Sequence, residues 1–264
     1  MLGIVFGMIV GFSLGLTGGG GSIFAVPLLV YGLSMAPREA VALSLAAVGA
    51  TALVGAIERL RAGEVEVPTA LIFSAGGVAG APLGAWIGGL VPDAVLLLSF
   101  AVLIVVVAAR MWARADRKAE HATEPMRGTC PRDIEGRLHL GPRCAARLVL
   151  VGLVTGVLSG LLGVGGGFVI VPALVFSSGM PIHRAVATSL LAIALVSASG
   201  VTSFAMAGRS MPPALTALFV VGGVGGMRAG TRLRGRLPGP LLQKGFAVAI
   251  VGVAAFIVSQ RVIA

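Results

Sequence analysis

Asp, Glu, Lys, Arg and His are absent from eight stretches of the chain, 1–37, 40–57, 67–92, 94–109, 148–182, 185–208, 210–227 and 245–260, and are confined to the intervals between them. A bilayer-spanning helix needs about 17 to 25 consecutive apolar residues, so this pattern predicts an all-α polytopic membrane protein. A transmembrane barrel is excluded, because its strands would alternate polar and apolar at every second residue. Two stretches, 1–37 and 148–182, are far longer than one span, and each is interrupted by glycines: Gly18-Gly19-Gly20-Gly21-Ser22 in the first and Gly163-Val164-Gly165-Gly166-Gly167 in the second. Successive glycines cost about 1 kcal/mol each inside a helix, which predicts a break at both places.

The interval 110–147 is the one long hydrophilic segment, 38 residues with nine Lys or Arg and five acids. It divides the chain into a first transmembrane repeat, 1–109, a basic loop expected to be cytoplasmic, 110–147, and a second transmembrane repeat, 148–264. No basic residue precedes the first apolar run, so a cleaved signal peptide is not expected.

The two halves are copies. An ungapped shift of 145 residues lays 11–45 on 156–190 with 16 of 35 positions identical, including Gly18/Gly163, Gly20/Gly165, Gly21/Gly166, Pro27/Pro172, Met35/Met180 and Ser44/Ser189. Low complexity would match glycines but would not keep a proline, a methionine and a serine in register. A duplicated bundle is a common plan of secondary transporters. Glycines also recur every fourth residue, at Gly76, Gly80, Gly84 and Gly88 and at Gly222, Gly226 and Gly230. Such ladders line one helix face and are read as packing surfaces.

Charge distribution selects the topology. If each glycine-broken run crosses once, 13 of the 20 basic residues fall on the side of the 110–147 loop; if each turns back on itself, 17 do. The positive-inside rule therefore predicts broken or re-entrant first helix pairs, each followed by three spanning helices, in two inverted repeats with both termini outside.

Composition agrees: 57% of residues are hydrophobic and 11% charged, with a mean hydropathy of +1.02. A net charge of +10 would otherwise suggest nucleic acid, but the basic residues are those excluded from the apolar runs rather than spread over a folded face. Two cysteines, Cys130 and Cys144, are too few for a disulfide framework.

The run from Gly11 to Ser22, continuing to Val26-Pro27-Leu28-Leu29, resembles the signature of the sulfite exporter TauE/SafE family of anion transporters. Its second copy, Gly156 to Pro172 followed by Ala185-Val186-Ala187-Thr188-Ser189, is similar to the same signature, and the resemblance extends over essentially the whole chain. It implies export of sulfite, sulfoacetate or related sulfur-containing organic anions across the cytoplasmic (inner) membrane. Nothing in composition or spacing shows sulfur chemistry.

A helix interrupted at membrane depth exposes the N–H groups of the next half-helix, which carry partial positive charge where an anion binds without lysine or arginine. The half-helices expected to begin near Ser22 and Gly167 are placed to do this. The candidate substrate-binding residues are therefore Gly18, Gly19, Gly20, Gly21, Gly163, Gly165, Gly166 and Gly167. Ser13, Thr17, Ser22 and Ser159 are candidate hydroxyl donors beside them, as are Ser44, Thr188 and Ser189 on the following helices. The competing reading is that the glycines make a tight turn and the hydroxyls cap it. Arg38, His183 and Arg184, at span ends, are candidate gate or vestibule residues; the plain alternative is that they anchor the helices at the membrane surface.

The absence of any charged residue within a span disfavours a proton relay built on an intramembrane carboxylate or histidine. No cofactor, metal or catalytic set is expected. Gly163-Val164-Gly165 lacks the Lys-Ser/Thr pair of a nucleotide loop, Cys130, His139 and Cys144 lack metal-module spacing, and the three histidines assemble no catalytic triad. The expected partners are a small anionic substrate and the lipid bilayer, with no nucleic acid, and self-association into a homo-oligomer is left open. A second function class stands beside the transporter: a membrane scaffold or accessory subunit docking a partner through its basic loop.

Overall fold

The computed structural model describes residues 2–92, 94–96, 98–100, 102–103, 105–106, 141–163, 167–207 and 212–234. Those residues are all helical or connecting, with no strand among them. In chain order the helices are α1 (Leu2–Thr17), a 3-10 turn (Gly20–Phe24), α2 (Ala25–Gly32), α3 (Pro37–Arg61) and α4 (Val67–Leu90), then α5 (Pro142–Leu162), α6 (Gly167–Ser178), α7 (Ile182–Met206) and α8 (Pro213–Arg234). Residues 94–96 and 98–100 are also helical. Among the described residues five helices, all but α1, α2 and α6, are long and apolar enough to cross a membrane.

Local chemistry sets the boundaries. Pro37 opens α3, where its fixed φ suits the first turn and its missing N–H costs nothing. Glu39 in the first turn and Arg59 and Arg61 in the last complement the helix dipole. Gly63, with φ +70°, turns the chain, and a proline again opens α4. Pro142 likewise starts α5, so the basic interval is helical from residue 142 rather than a loop up to Arg147. Residues 110–140 of that interval, including Cys130, His121 and His139, lie outside the described residues. Cys144, buried in the first turn of α5, is disulfide-bonded.

Glycine faces fix which helices pair. On α1, a methyl group at Gly7, Gly11 or Gly15 would overlap the carbonyl oxygens of Phe219, Gly223 and Met227 on α8. On α5, Gly152, Gly156 and Gly160 stand in the same relation to Phe73, Gly77 and Ala81 on α4. The return contacts match as well: Gly222, Gly226 and Gly230 meet Ile4, Met8 and Phe12, while Gly76, Gly80 and Gly84 meet Val149, Leu153 and Val157. Each contact of one half thus recurs in the other at a shift of 145 or 146 residues. The ladders let two backbones touch, and they are packing surfaces.

The same contacts give helix direction. Residue numbers rise together along α1 and α8 and along α4 and α5, so each of these pairs is parallel. Gly49 meets Ser197 and Leu45 meets Gly200, so α3 and α7 cross antiparallel. Gly77 lies on Val196 and Ala81 on Gly200, making α4 parallel to α7. The crossing pair is central: 72% of the apolar stretch of α3 and 67% of that of α7 is buried, against 39% for α5 and 33% for α8. Exposed Val5, Ile9, Leu71, Trp86, Leu150 and Val221 on the outer helices present the apolar girdle that lipid requires.

Candidate functional site

Both breaks have the same construction. α1 ends in Gly18, φ +77°, whose N–H donates to Leu14 O at 2.7 Å; α5 ends in Gly163, φ +68°, whose N–H donates to Ser159 O at 2.9 Å. A left-handed residue there closes the helix and redirects the chain, and L side chains resist that conformation. Gly18 lies against Val186 near the start of α7, and Gly163 against Val41 near the start of α3, again equivalent contacts at a shift of 145. Beyond the breaks the two segments touch backbone to backbone. A Cβ on Gly167 would sit 2.6 Å from Gly19 Cα, and one on Gly19 would sit 2.5 Å from the carbonyl carbon of Gly167. Ile193 of α7 also packs on Gly167, which puts this meeting point beside the middle of the α3–α7 crossing.

The hydroxyls sort into three groups. Several stabilise the breaks themselves. Ser22 Oγ donates to Gly19 O at 2.8 Å, Thr17 Oγ1 to Ser13 O at 2.7 Å, and Ser189 Oγ reaches across from α7 to Gly18 O at 2.8 Å while also bonding Val186 O. Thr188 is not at a break: its Oγ1 accepts the Glu66 N–H, 3.0 Å away, at the start of α4. Ser44 and Ser159 are fully buried, and their hydroxyls have no hydrogen-bond partner. Of the glycines, Gly19 and Gly167 touch each other, Gly18 and Gly163 form the two breaks against Val186 and Val41, Gly21 packs on Leu14 and Val10 of α1, Gly20 begins the 3-10 turn, and Gly165 and Gly166 lie outside the described residues. The second half-helix is described from Gly167, with the residues just before it outside the described ones. In the first half the 3-10 turn intervenes, so α2 starts only at Ala25.

Charge stays at the two ends. Arg38 Nη2 donates to Val91 O at 3.1 Å, tying the start of α3 to the end of α4. At the opposite end Arg184 lies 3.7 Å from Glu66 Oε1, Thr69 Oγ1 donates to Glu66 Oε2 at 3.0 Å, and Arg228 pairs with Glu58 at 2.9 Å. His183 is exposed beside Arg184. Glu66 was not among the residues that the sequence singles out, although an acid immediately before a charge-free run and a Pro-initiated helix is the available signal. Among the described residues no group of His, Cys, Asp and Glu has the arrangement of a metal site.

Residues 3–257 match the family described as Sulfite exporter TauE/SafE. The chain is 36% identical over 256 residues to a "Probable membrane transporter protein" of Xylella fastidiosa (strain Temecula1), covering 96% of this chain and 92% of that protein. It is 28% identical over 216 residues to the "Probable membrane transporter protein YunE" of Bacillus subtilis (strain 168), covering 78% of each. A third relative, from Methanocaldococcus jannaschii, is 48% identical but over only 56 residues, 21% of each chain. No solved structure matches. With a match of this extent, on a chain whose helices are built to cross a bilayer, the protein belongs to the sulfite exporter TauE/SafE family of membrane transporters.

Proposed function

We propose that the protein is a secondary transporter exporting small anions, sulfite or organosulfonate-type sulfur compounds, across the cytoplasmic membrane. The observation that carries this reading is the backbone meeting of Gly19 with Gly167 beside the buried α3–α7 crossing. Irregular backbone at membrane depth is tolerated chiefly where it lines a cavity or a path, and a scaffold has no need of two such breaks in contact. The cargo is held between the breaks by backbone N–H groups and neighbouring hydroxyls, with no salt bridge to protein.

The helix directions support an inverted arrangement. α1, α3 and α8 run one way while α4, α5 and α7 run the other, so each of these six helices is opposed to its counterpart in the other repeat. α1 and α3 point the same way, which supports a first helix pair that turns back at Gly18 instead of completing a second crossing. The end carrying Arg59, Arg61, Arg143, Arg147, Arg184 and Arg228 is assigned to the cytoplasm, and the end carrying Arg38 to the outside. The division into repeats 1–109 and 148–264, joined by a cytoplasmic basic segment, is part of the same proposal.

The test is flux from proteoliposomes loaded in turn with sulfite, sulfoacetate and chloride under an imposed membrane potential. Sulfur-anion efflux above protein-free vesicles supports the proposal; no flux of any of the three favours the scaffold.

A further inference from the structure

Hydroxyls inside apolar helices normally return their proton to the carbonyl three or four residues back. Here Thr51, Thr155, Ser177 and Ser178 all do so. Four serines do not: Ser44, Ser74, Ser159 and Ser197 are each at most 2% exposed, and none of their hydroxyls has a hydrogen-bond partner. A buried hydroxyl left unpaired is a liability that a fold normally removes, so four in one bundle call for an explanation.

Helix contacts give their levels along the bundle. Ser197 sits at the α3–α7 crossing, against Gly49, and follows Val196, which packs on Gly77. Ser74 is one turn before Gly77 and Val78 on α4, which runs parallel to α7, so it lies one turn from Ser197 along the bundle. On the other side of Ser197, Ser44 precedes Leu45, and Leu45 meets Gly200. Ser159 precedes Gly160, which meets Ala81, itself against Gly200. The four hydroxyls thus occupy three successive levels at about one helical turn, ~5.4 Å, apart. They lead from the crossing toward the Gly163 break and the end that carries Arg38.

The repeat supplies an internal control. The positions equivalent to Ser74, Ser159 and Ser197 in the other half are Val220, Leu14 and Ala52, and the fourth equivalent, Ser189, is bonded to Gly18 O. Helices that pair in the same way therefore pack with apolar residues at three of these places, so the packing does not require the hydroxyls.

We infer that Ser74, Ser197, Ser44 and Ser159 are anion-binding residues, forming a ladder of O–H donors along the half-path between the central Gly19–Gly167 contact and the Arg38 end. This rests on the transporter reading and extends it: the unpaired hydroxyls, whose protons turn about the Cβ–Oγ bond, replace the water lost by the oxygens of a sulfite-like anion as it passes. The absence of acids along the ladder favours an anion over a cation.

The experiment is initial sulfite efflux from sodium-free proteoliposomes at fixed potential, alongside thermal unfolding of the same preparations, for wild type, the double variant Ser74→Ala/Ser197→Ala and the control Ser177→Ala. The double variant is expected to lose at least tenfold in rate with an unchanged or higher Tm, because it removes unpaired groups. Ser177→Ala should keep the wild-type rate. A double variant that transports at the wild-type rate, one whose loss tracks a lowered Tm, or one restored by sodium, would overturn the ladder while leaving the transporter reading in place. A wild-type protein that carries none of sulfite, sulfoacetate and chloride would overturn both.

Discussion

Replacing Gly163 by alanine separates the two reasons for glycine at a break. The first is conformational: at φ +68° an L side chain costs about 1 to 2 kcal/mol. The second is steric, since the added Cβ would lie 2.5 Å from Val41 Cα and 2.7 Å from Val41 Cβ and Cγ1, contacts that α3 relieves only by moving. Overpacking of that kind costs about 1 to 3 kcal/mol, so Gly163→Ala should lose about 2 to 5 kcal/mol in all. Gly63 provides the reference. Its φ is +70°, nearly the same, but nothing lies within 4 Å of the Cβ position. Gly63→Ala should therefore lose only the conformational part, about 1 to 2 kcal/mol. Reversible unfolding in mixed micelles, followed by helical circular dichroism for both variants, measures the difference. Equal losses would show that α5 does not end against α3, and the equivalence of the two breaks would fall with that contact.

Three further outcomes follow from the same packing and charge placement. Gly156→Ala should destabilise by more than about 1 kcal/mol because its methyl group meets the Gly77 carbonyl, whereas Gly225→Ala, with open space at its Cβ, should stabilise by up to about 1 kcal/mol; unfolding of the two variants in detergent checks the contrast. Glu66→Ala, which strips partners from Arg184 and Thr69, should lose about 1 to 3 kcal/mol, while Glu58→Ala, whose pair with Arg228 is half exposed, should lose less than about 1 kcal/mol in the same assay; equal losses would dissolve the α4–α7 tie. For topology, an engineered Arg234→Cys should resist an impermeant external maleimide in intact cells; external labelling would move that end outside.

Much of this architecture is legible in the chain because its causes are local. Charge-free runs, prolines at helix starts and glycine clusters act within one turn, which is why the breaks fall at Gly18 and Gly163. The repeat even foreshadows the helix pairing, since equivalent glycines must meet equivalent surfaces. The departures arise where the cause is distant or where charge and helix boundaries differ. α5 begins at Pro142, not after Arg147, because basic residues mark the membrane edge while the helix continues past it. Thr188 reads as part of the signature beside the break, yet its partner is Glu66, 122 residues away in sequence. Ser74 and Ser197 have no sequence signature: a serine in an apolar helix normally bonds its own backbone, and only the packed bundle shows that these do not.

The most direct test of the central claim, that an anion crosses where the two glycine breaks meet, is sulfite efflux against a clamped potential with pH and sodium gradients set to zero, comparing wild type with Gly167→Val. A singly charged anion gains about 2.3 kcal/mol per 100 mV on leaving an inside-negative vesicle, so wild-type efflux should rise with potential alone. In the variant the side chain occupies the contact with Gly19, and efflux should be abolished although the protein still inserts. Wild-type efflux from inserted Gly167→Val would contradict the account.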